Sequence, residues 1–140
     1  MKKVLTAFLL ALSFTFGESY TEFFLVDRVF LTPFVLKYAD ELGLDGDQIE
    51  KIKGFIKESE REVRSKVILL RHMEKRARLM ILSGDEEEKI KEVLSDIASL
   101  KIELSLINAR SVRFLKETLT PAQFDKLKDM VLVRLLEFDR

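Results

Sequence analysis

The sequence predicts an all-α protein, a long bent helical hairpin with short flanking helices. Three observations support this fold class. Apolar residues recur at steps of three and four over two long stretches, which is the period of an amphipathic helix. Five glycines and two prolines in 140 residues leave few breaks. Two segments also share one helix-start pattern, in which a capping residue is followed three residues later by a glutamine.

The first 17 residues have the form of a secretory signal peptide. Lys2 and Lys3 precede an apolar run from Val4 to Phe16, and Thr15-Phe16-Gly17 places small residues at the −3 and −1 positions of a cleavage site. The run is shorter than the about 20 residues that span a bilayer. We therefore expect residues 1–17 to be removed, with an uncleaved anchor as the alternative, and residues 18–140 to form a single helical domain.

From Tyr20 to Leu36 the chain is aromatic and apolar. This stretch is expected to cover the core or a dimer seam, or alternatively to contact a partner. Thr32 suits a helix N-cap, Pro33 suits the first helical position, and Gly43 suits the residue after a helix end. A short helix is therefore predicted from Pro33 to about Leu42.

A first long helix is predicted after Leu44. Asp45 serves as its N-cap, and Gln48 is the third helical residue, whose side-chain amide can reach back to the cap. Ser83-Gly84 marks its end. Its apolar positions recur at helical spacing, with one gap at Ser59: Ile49, Ile52, Ile56, Val63, Val67, Leu70, Met73, Ala77 and Met80.

A second long helix follows, for which Asp85 and Glu88 suggest a third capping arrangement. Its apolar positions alternate steps of four and three: Val93, Ile97, Leu100, Leu104, Ile107, Ser111 and Phe114. A second apolar row widens this face: Leu94, Ala98, Ile102, Leu106 and Ala109. A helix this apolar must bury two sides. We therefore expect a homodimer, in which the second subunit covers the remaining side.

A final helix begins at Pro121. Thr120 is its predicted N-cap, and Gln123 stands three residues after the cap. Gln48 and Gln123 are the only glutamines in the chain, and both occupy the same place in a helix start. Random composition would seldom produce this coincidence. The apolar positions of the helix are Phe124, Leu127, Val131, Leu135 and Phe138.

This repeated helix start resembles a family motif. The order Leu-Thr-x-x-Gln is present in full as Leu119-Thr120-Pro121-Ala122-Gln123, and Leu44-Asp45-Gly46-Asp47-Gln48 repeats it with Asp45 in place of threonine. Two such motifs around a helical hairpin resemble the CpxP/Spy family of periplasmic proteins and the related periplasmic metal-resistance sensors. The resemblance extends from about Ala39 to the C-terminus. It implies a periplasmic location, an interlocked cradle-like homodimer and a role in the envelope stress response.

Basic residues recur at helical spacing along the first long helix. We call this set the basic stripe: Arg61, Arg64, Arg71, Lys75 and Arg78. Ile68 fills the missing step, and Leu69, Leu79 and Leu82 edge the stripe. One interpretation is a solvated face that pairs with acidic residues of another helix. The functional interpretation is a surface that holds chains exposing apolar and acidic groups.

The sequence offers little for catalysis or cofactor binding. Cysteine is absent, which excludes disulfides, iron–sulfur clusters and thiol chemistry. His72 is the only histidine, so one chain has no imidazole pair, although His72 remains a weak metal-ligand candidate beside Met73 or Glu74. No Gly-rich loop or nucleophile motif accompanies it. The balance of 24 basic and 24 acidic residues argues against nucleic acid as a partner. We expect no enzyme and no cofactor.

These observations predict an ATP-independent periplasmic chaperone that holds unfolded or misfolded exported proteins on a basic and apolar surface. The resemblance to CpxP implies an alternative, a regulator that binds the periplasmic sensor domain of an envelope-stress kinase. A metal-responsive sensor or binding protein is a third hypothesis. A protein bound to the membrane surface through an amphipathic face is a fourth.

Overall fold

A computed structural model describes residues 31–138, with side chains described up to Val133. These residues form five helices: α1 (Leu31–Lys37), α2 (Ala39–Leu42), α3 (Gly46–Leu82), α4 (Glu87–Thr118) and α5 (Pro121–Phe138). The all-α prediction is confirmed for this part of the chain, which contains no strand. The predicted signal peptide and most of the aromatic stretch lie outside the described residues. No helix within residues 31–138 is both long enough and apolar enough to span a bilayer.

The chain divides into two compact units. The hairpin unit contains Ser65–Ser105, which is the second half of α3, the connecting turn and the first half of α4. The motif unit contains the described parts of Val29–Arg64 and Leu106–Arg140, and therefore both helix-start motifs.

In the hairpin unit, α3 ends in a glycine turn at the predicted place. Gly84 adopts a left-handed φ of 68°. Its N–H donates to the carbonyl of Ile81, and the next N–H, that of Asp85, donates to the carbonyl of Met80, both at 3.1 Å. These two bonds form a Schellman motif. Glycine suits this position because a left-handed φ brings Cβ of other residues too close to the backbone.

The predicted cap of α4 is wrong. The helix begins at Glu87, and the carbonyl of Glu86 accepts the first helical bond, from the N–H of Ile90 at 3.2 Å. Asp85 instead completes the turn that closes α3, and no hydrogen bond joins it to Glu88 within the described residues. Asp85, which the sequence pattern assigned to the start of α4, is therefore part of the glycine turn that ends α3.

The core of the hairpin unit follows the predicted apolar positions. The buried side chains are Val67, Leu70, Ala77, Val93, Ile97, Leu100 and Leu104. Two ion pairs join α3 to α4 beside this core: Lys66 with Glu103 at 2.7 Å and Lys101 with Glu74 at 3.6 Å. The second apolar row is exposed, because Leu94 and Ile102 each keep 47% of their surface accessible.

The core of the motif unit joins all five helices. Its buried members are Leu31, Val35, Leu42, Ile52, Leu115, Leu119, Phe124 and Leu127. The predicted seam of α4 departs from the structure at its last step, since Leu115 is buried and Phe114 is only half-buried. Phe114 stacks on Phe55 of α3, with ring centroids 4.0 Å apart and planes 4° apart.

The short N-terminal helix differs from its prediction in two details. Helix α1 already includes Leu31, so Thr32 and Pro33 are its second and third residues. Tyr38, with φ −108° and ψ 26°, separates α1 from α2. The predicted end is present: Gly43 has a left-handed φ of 69°, and the N–H of Leu44 donates to the carbonyl of Ala39 at 3.0 Å, as in a Schellman motif.

Candidate functional site

The helix start of α3 is a complete capping box. The N–H of Gln48 donates to Oδ1 of Asp45 at 2.8 Å, and the N–H of Asp45 donates to Oε1 of Gln48 at 3.0 Å. Each side chain thus satisfies a backbone N–H that the first helical turn leaves without a partner. Aspartate fills the position that is threonine in the second motif and makes the same bond.

The helix start of α5 repeats this geometry. The N–H of Gln123 donates to Oγ1 of Thr120 at 3.2 Å, and the N–H of Thr120 donates to Oε1 of Gln123 at 2.9 Å. Pro121 is the first helical residue, where its missing N–H costs nothing. Leu119 is buried in the core of the motif unit and Leu44 packs against that core, so the two motif leucines anchor the caps.

The two motifs meet through their glutamines, an arrangement we call the glutamine clasp. Nε2 of Gln48 donates to Oε1 of Gln123 at 2.9 Å and to the carbonyl of Thr118 at 3.1 Å. In the opposite direction, Nε2 of Gln123 donates to the carbonyl of Gly43 at 3.0 Å, with a weaker contact of 3.4 Å to Oε1 of Gln48. Both amides are therefore bonded through oxygen and nitrogen.

The clasp is nearly symmetric. Gly43 stands five residues before Gln48, and Thr118 stands five residues before Gln123, so each amide donates to the equivalent carbonyl of the other motif. Lys126 adds a bond at this place, since its Nζ lies 2.7 Å from the carbonyl of Glu41. A primary amide suits the role because it is both a donor and an acceptor.

Sequence reasoning found the two caps but missed the clasp. The shared spacing of the glutamines marked a repeat, whereas their contact depends on tertiary packing that the pattern does not encode. The available signal was the rarity of glutamine combined with the identical placement of both residues. The groups that form the clasp are two neutral side-chain amides and two backbone carbonyls, none of which is a nucleophile. The clasp is therefore a structural element that stabilises the fold.

The basic stripe is divided between the two units. Arg61 and Arg64 are exposed residues of α3 in the motif unit. Ile68, Arg71, Lys75 and Arg78 are exposed residues of α3 in the hairpin unit. Arg61, Lys75 and Arg78 form no ion pair with the residues that the structure describes, which argues against a stripe that serves only to pair with acids of another helix.

Apolar side chains are interleaved with the basic ones in the hairpin unit. At 3.6 residues per turn, Arg71, Lys75 and Arg78 share an arc of about 100° with three apolar neighbours. These neighbours are Ile68, Leu79 and Leu82, with exposed fractions of 52%, 54% and 85%. Leu69 is also 52% exposed, but it lies on another side of the helix. One face of α3 therefore presents positive charge and accessible apolar surface together.

The weak metal-ligand candidate lies on the first long helix. His72 is exposed on α3. Within residues 31–138 no three side chains among His, Cys, Asp and Glu come together in a way that could hold a metal ion.

In comparisons with known proteins, no family model, no curated protein and no solved structure matches this chain.

Proposed function

We propose that this protein is an ATP-independent periplasmic chaperone that holds unfolded or misfolded exported proteins on the face of α3 that carries the basic stripe. The observation that carries the proposal is the mixture of exposed Ile68, Leu79 and Leu82 with Arg71, Lys75 and Arg78. The resemblance of the two helix-start motifs to the CpxP/Spy family supports the same function.

The physical argument begins with what unfolded clients expose. Such chains present apolar segments and charges at irregular spacing, so a surface that binds many of them needs both contact types without a shaped pocket. Long arginine and lysine side chains can follow a mobile chain while their aliphatic stems add apolar contact. Scattered side chains of this kind bind weakly and exchange readily, as holding without an energy source requires.

We also propose that the working species is a homodimer. Leu94 and Ile102 remain half-exposed on α4 of the hairpin unit, with the small residue Ala98 between them. A row of two large apolar residues around a small one lets a second helix approach closely. A second copy of the chain would remove this row from water.

The test uses two neighbouring residues of equal exposure. Ile68→Ser removes apolar surface within the basic stripe, whereas Leu69→Ser removes a comparable exposed side chain from another side of the same helix. Aggregation of a chemically unfolded client is followed by light scattering without ATP, after the mass of each variant has been measured. We expect wild type and Leu69→Ser to suppress scattering at near-stoichiometric ratios, and Ile68→Ser to need several-fold more protein.

The contribution of the basic residues to client holding is tested by the double variant Lys75→Glu with Arg78→Glu. The control is Lys51→Glu with Lys57→Glu, which makes the same change in net charge at exposed positions of α3 in the motif unit. Weaker holding in the first variant alone supports the stripe as the client surface. Equal suppression by all variants would show that the surface is wrongly assigned. Absence of suppression by a folded wild-type protein would overturn the chaperone proposal and favour binding to a kinase sensor domain.

A further inference from the structure

The hairpin unit carries a second charged surface, on which three acidic residues outnumber the exposed Lys89 and Lys91, so its balance is opposite in sign to that of the basic stripe. Glu88, Glu92 and Asp96 recur every four residues on α4, are exposed, and form no ion pair with the described residues. We call them the acidic row. Together with Lys91 and Ser95 they line a shallow open depression. Neither the caps, the clasp nor the proposed client surface uses this row.

The acidic row and the part of the basic stripe that belongs to the hairpin unit, Arg71, Lys75 and Arg78, lie on opposite edges of that unit. On one edge Glu103 pairs with Lys66, and Asp96 and Glu92 precede Glu103 by seven and eleven residues, which returns them to its side of the helix. On the other edge Glu74 pairs with Lys101. Arg71 and Arg78 lie three residues before and four residues after Glu74, and therefore on its side.

From this arrangement we propose that copies of the protein associate side by side, with the basic stripe of one hairpin unit lying against the acidic row of the next. The two surfaces match in length. Arg78 stands seven residues after Arg71, about 10 Å along the helix, and Asp96 stands eight residues after Glu88, about 12 Å along the helix. Both begin within a few residues of the turn at Gly84, so two copies aligned in the same direction bring opposite charges together.

Charge complementarity selects a second copy as the occupant. An anionic membrane that attracted the basic stripe would repel the neighbouring acids at the turn, residues 85–88. A second copy of the chain can place its acidic row against the basic stripe, or its basic stripe against the acidic row. A two-fold symmetric pairing of either surface with itself would place like charges opposite each other, so the contact is head-to-tail and leaves one unsatisfied surface at each end. Association should therefore continue with rising concentration, beyond the proposed homodimer.

This association does not depend on the client-holding function, although it would cover the same stripe. It is measured by sedimentation velocity of the full chain over a range of concentrations, at low ionic strength and in about 1 M salt, where the screening length is about 3 Å. We expect the average mass to rise with concentration at low ionic strength. In high salt it should return to the smallest species.

Two variants with reversed charges provide the decisive comparison. Lys75→Glu with Arg78→Glu leaves Arg71 beside two acids and so gives both edges a negative balance, and Glu92→Lys with Asp96→Lys leaves Glu88 beside two new bases and so gives both edges a positive balance. Association of each variant alone should be weaker than that of wild type by about tenfold or more. An equimolar mixture should recover association, because an acidic edge of one variant meets a basic edge of the other. Circular dichroism at 222 nm establishes that each variant is folded.

Three results would overturn the proposal. A wild-type mass that is independent of concentration and salt shows that no such contact forms. Association of either variant alone at wild-type strength shows that other residues carry it. Failure of the mixture to associate, with both variants folded, shows that the two edges do not meet. The charge control Lys51→Glu with Lys57→Glu should behave as wild type throughout.

Discussion

Removing one glutamine of the clasp should destabilise the protein more than removing an ordinary helix cap. The side chain of Gln123 makes three hydrogen bonds of 3.0 Å or less, to the N–H of Thr120, to Nε2 of Gln48 and to the carbonyl of Gly43. A net contribution of about 1 kcal/mol for each bond predicts a loss of about 2–3 kcal/mol for Gln123→Ala, since the site is only partly buried. Gln48→Ala loses an equivalent set and should cost the same.

The double variant separates the clasp from the two caps. Gln48→Ala and Gln123→Ala each remove both contacts between the two amides, at 2.9 and 3.4 Å, so the sum of their effects counts these contacts twice. The double variant should therefore be about 1 kcal/mol more stable than the sum of the single losses predicts. Free energies of unfolding come from urea titration followed by circular dichroism at 222 nm.

A second cycle provides the control. Thr120→Ala removes a cap oxygen that bonds the backbone of Gln123 and has no bond to Gln48. It should cost about 1 kcal/mol and combine additively with Gln48→Ala, within about 0.5 kcal/mol. If the Gln48–Gln123 cycle were also additive, the clasp would contribute nothing beyond its two caps, and our account of the motif repeat would fail.

Two further predictions concern the hairpin core and the turns. Leu104→Ala, at a fully buried position, should cost about 2–5 kcal/mol in urea unfolding, whereas Ile102→Ala, which is half-exposed, should cost about 1 kcal/mol; equal costs would contradict the assigned seam. Gly84→Ala should destabilise by about 1–2 kcal/mol because of the left-handed φ, whereas Gly54→Ala, within α3 and with open space around it, should stabilise by about 0.5–1 kcal/mol; the same sign in both thermal melts would contradict the turn assignment.

Local patterns predicted the long helices and most of their ends. Gly84 ends α3, and the capping boxes at Asp45 and Thr120 begin α3 and α5, because each device depends on residues within one or two turns. The assignment of Asp85 failed for a related reason. Asp85 could either complete the glycine turn or cap α4. In the structure its backbone N–H donates to the carbonyl of Met80 in the glycine turn, and it does not cap α4.

The error at Phe114 has a geometric cause. A strict heptad repeats every 3.5 residues, whereas a straight helix has 3.6 residues per turn, so the predicted seam drifts by about 20° per heptad. After three heptads the core-facing position shifts from Phe114 to Leu115. The phenyl ring then stacks on Phe55 at the edge of the core. The apolar periodicity alone does not show where a helix keeps the 3.6 residues per turn of a straight helix instead of the 3.5 of a heptad repeat.

The candidate site was predictable only in part. The spacing of Lys75 and Arg78 predicted their common face, and their exposure agrees with it. Their relation to the acidic row depends on which side of each helix faces the core, and this became visible only through the pairs Lys66–Glu103 and Lys101–Glu74. The contact of the two glutamines likewise required the tertiary structure.

The glutamine clasp also closes the chain on itself. By tying Gln48 to Gln123 it closes the intervening residues into a loop in the folded state, whereas a disulfide at this place would keep the loop closed in the unfolded chain as well. This chain has no cysteine, so the closure uses amides that neither oxidise nor reduce. It should therefore form equally in a reducing and an oxidising compartment and need no isomerase, and the fold would be independent of the redox state of its surroundings.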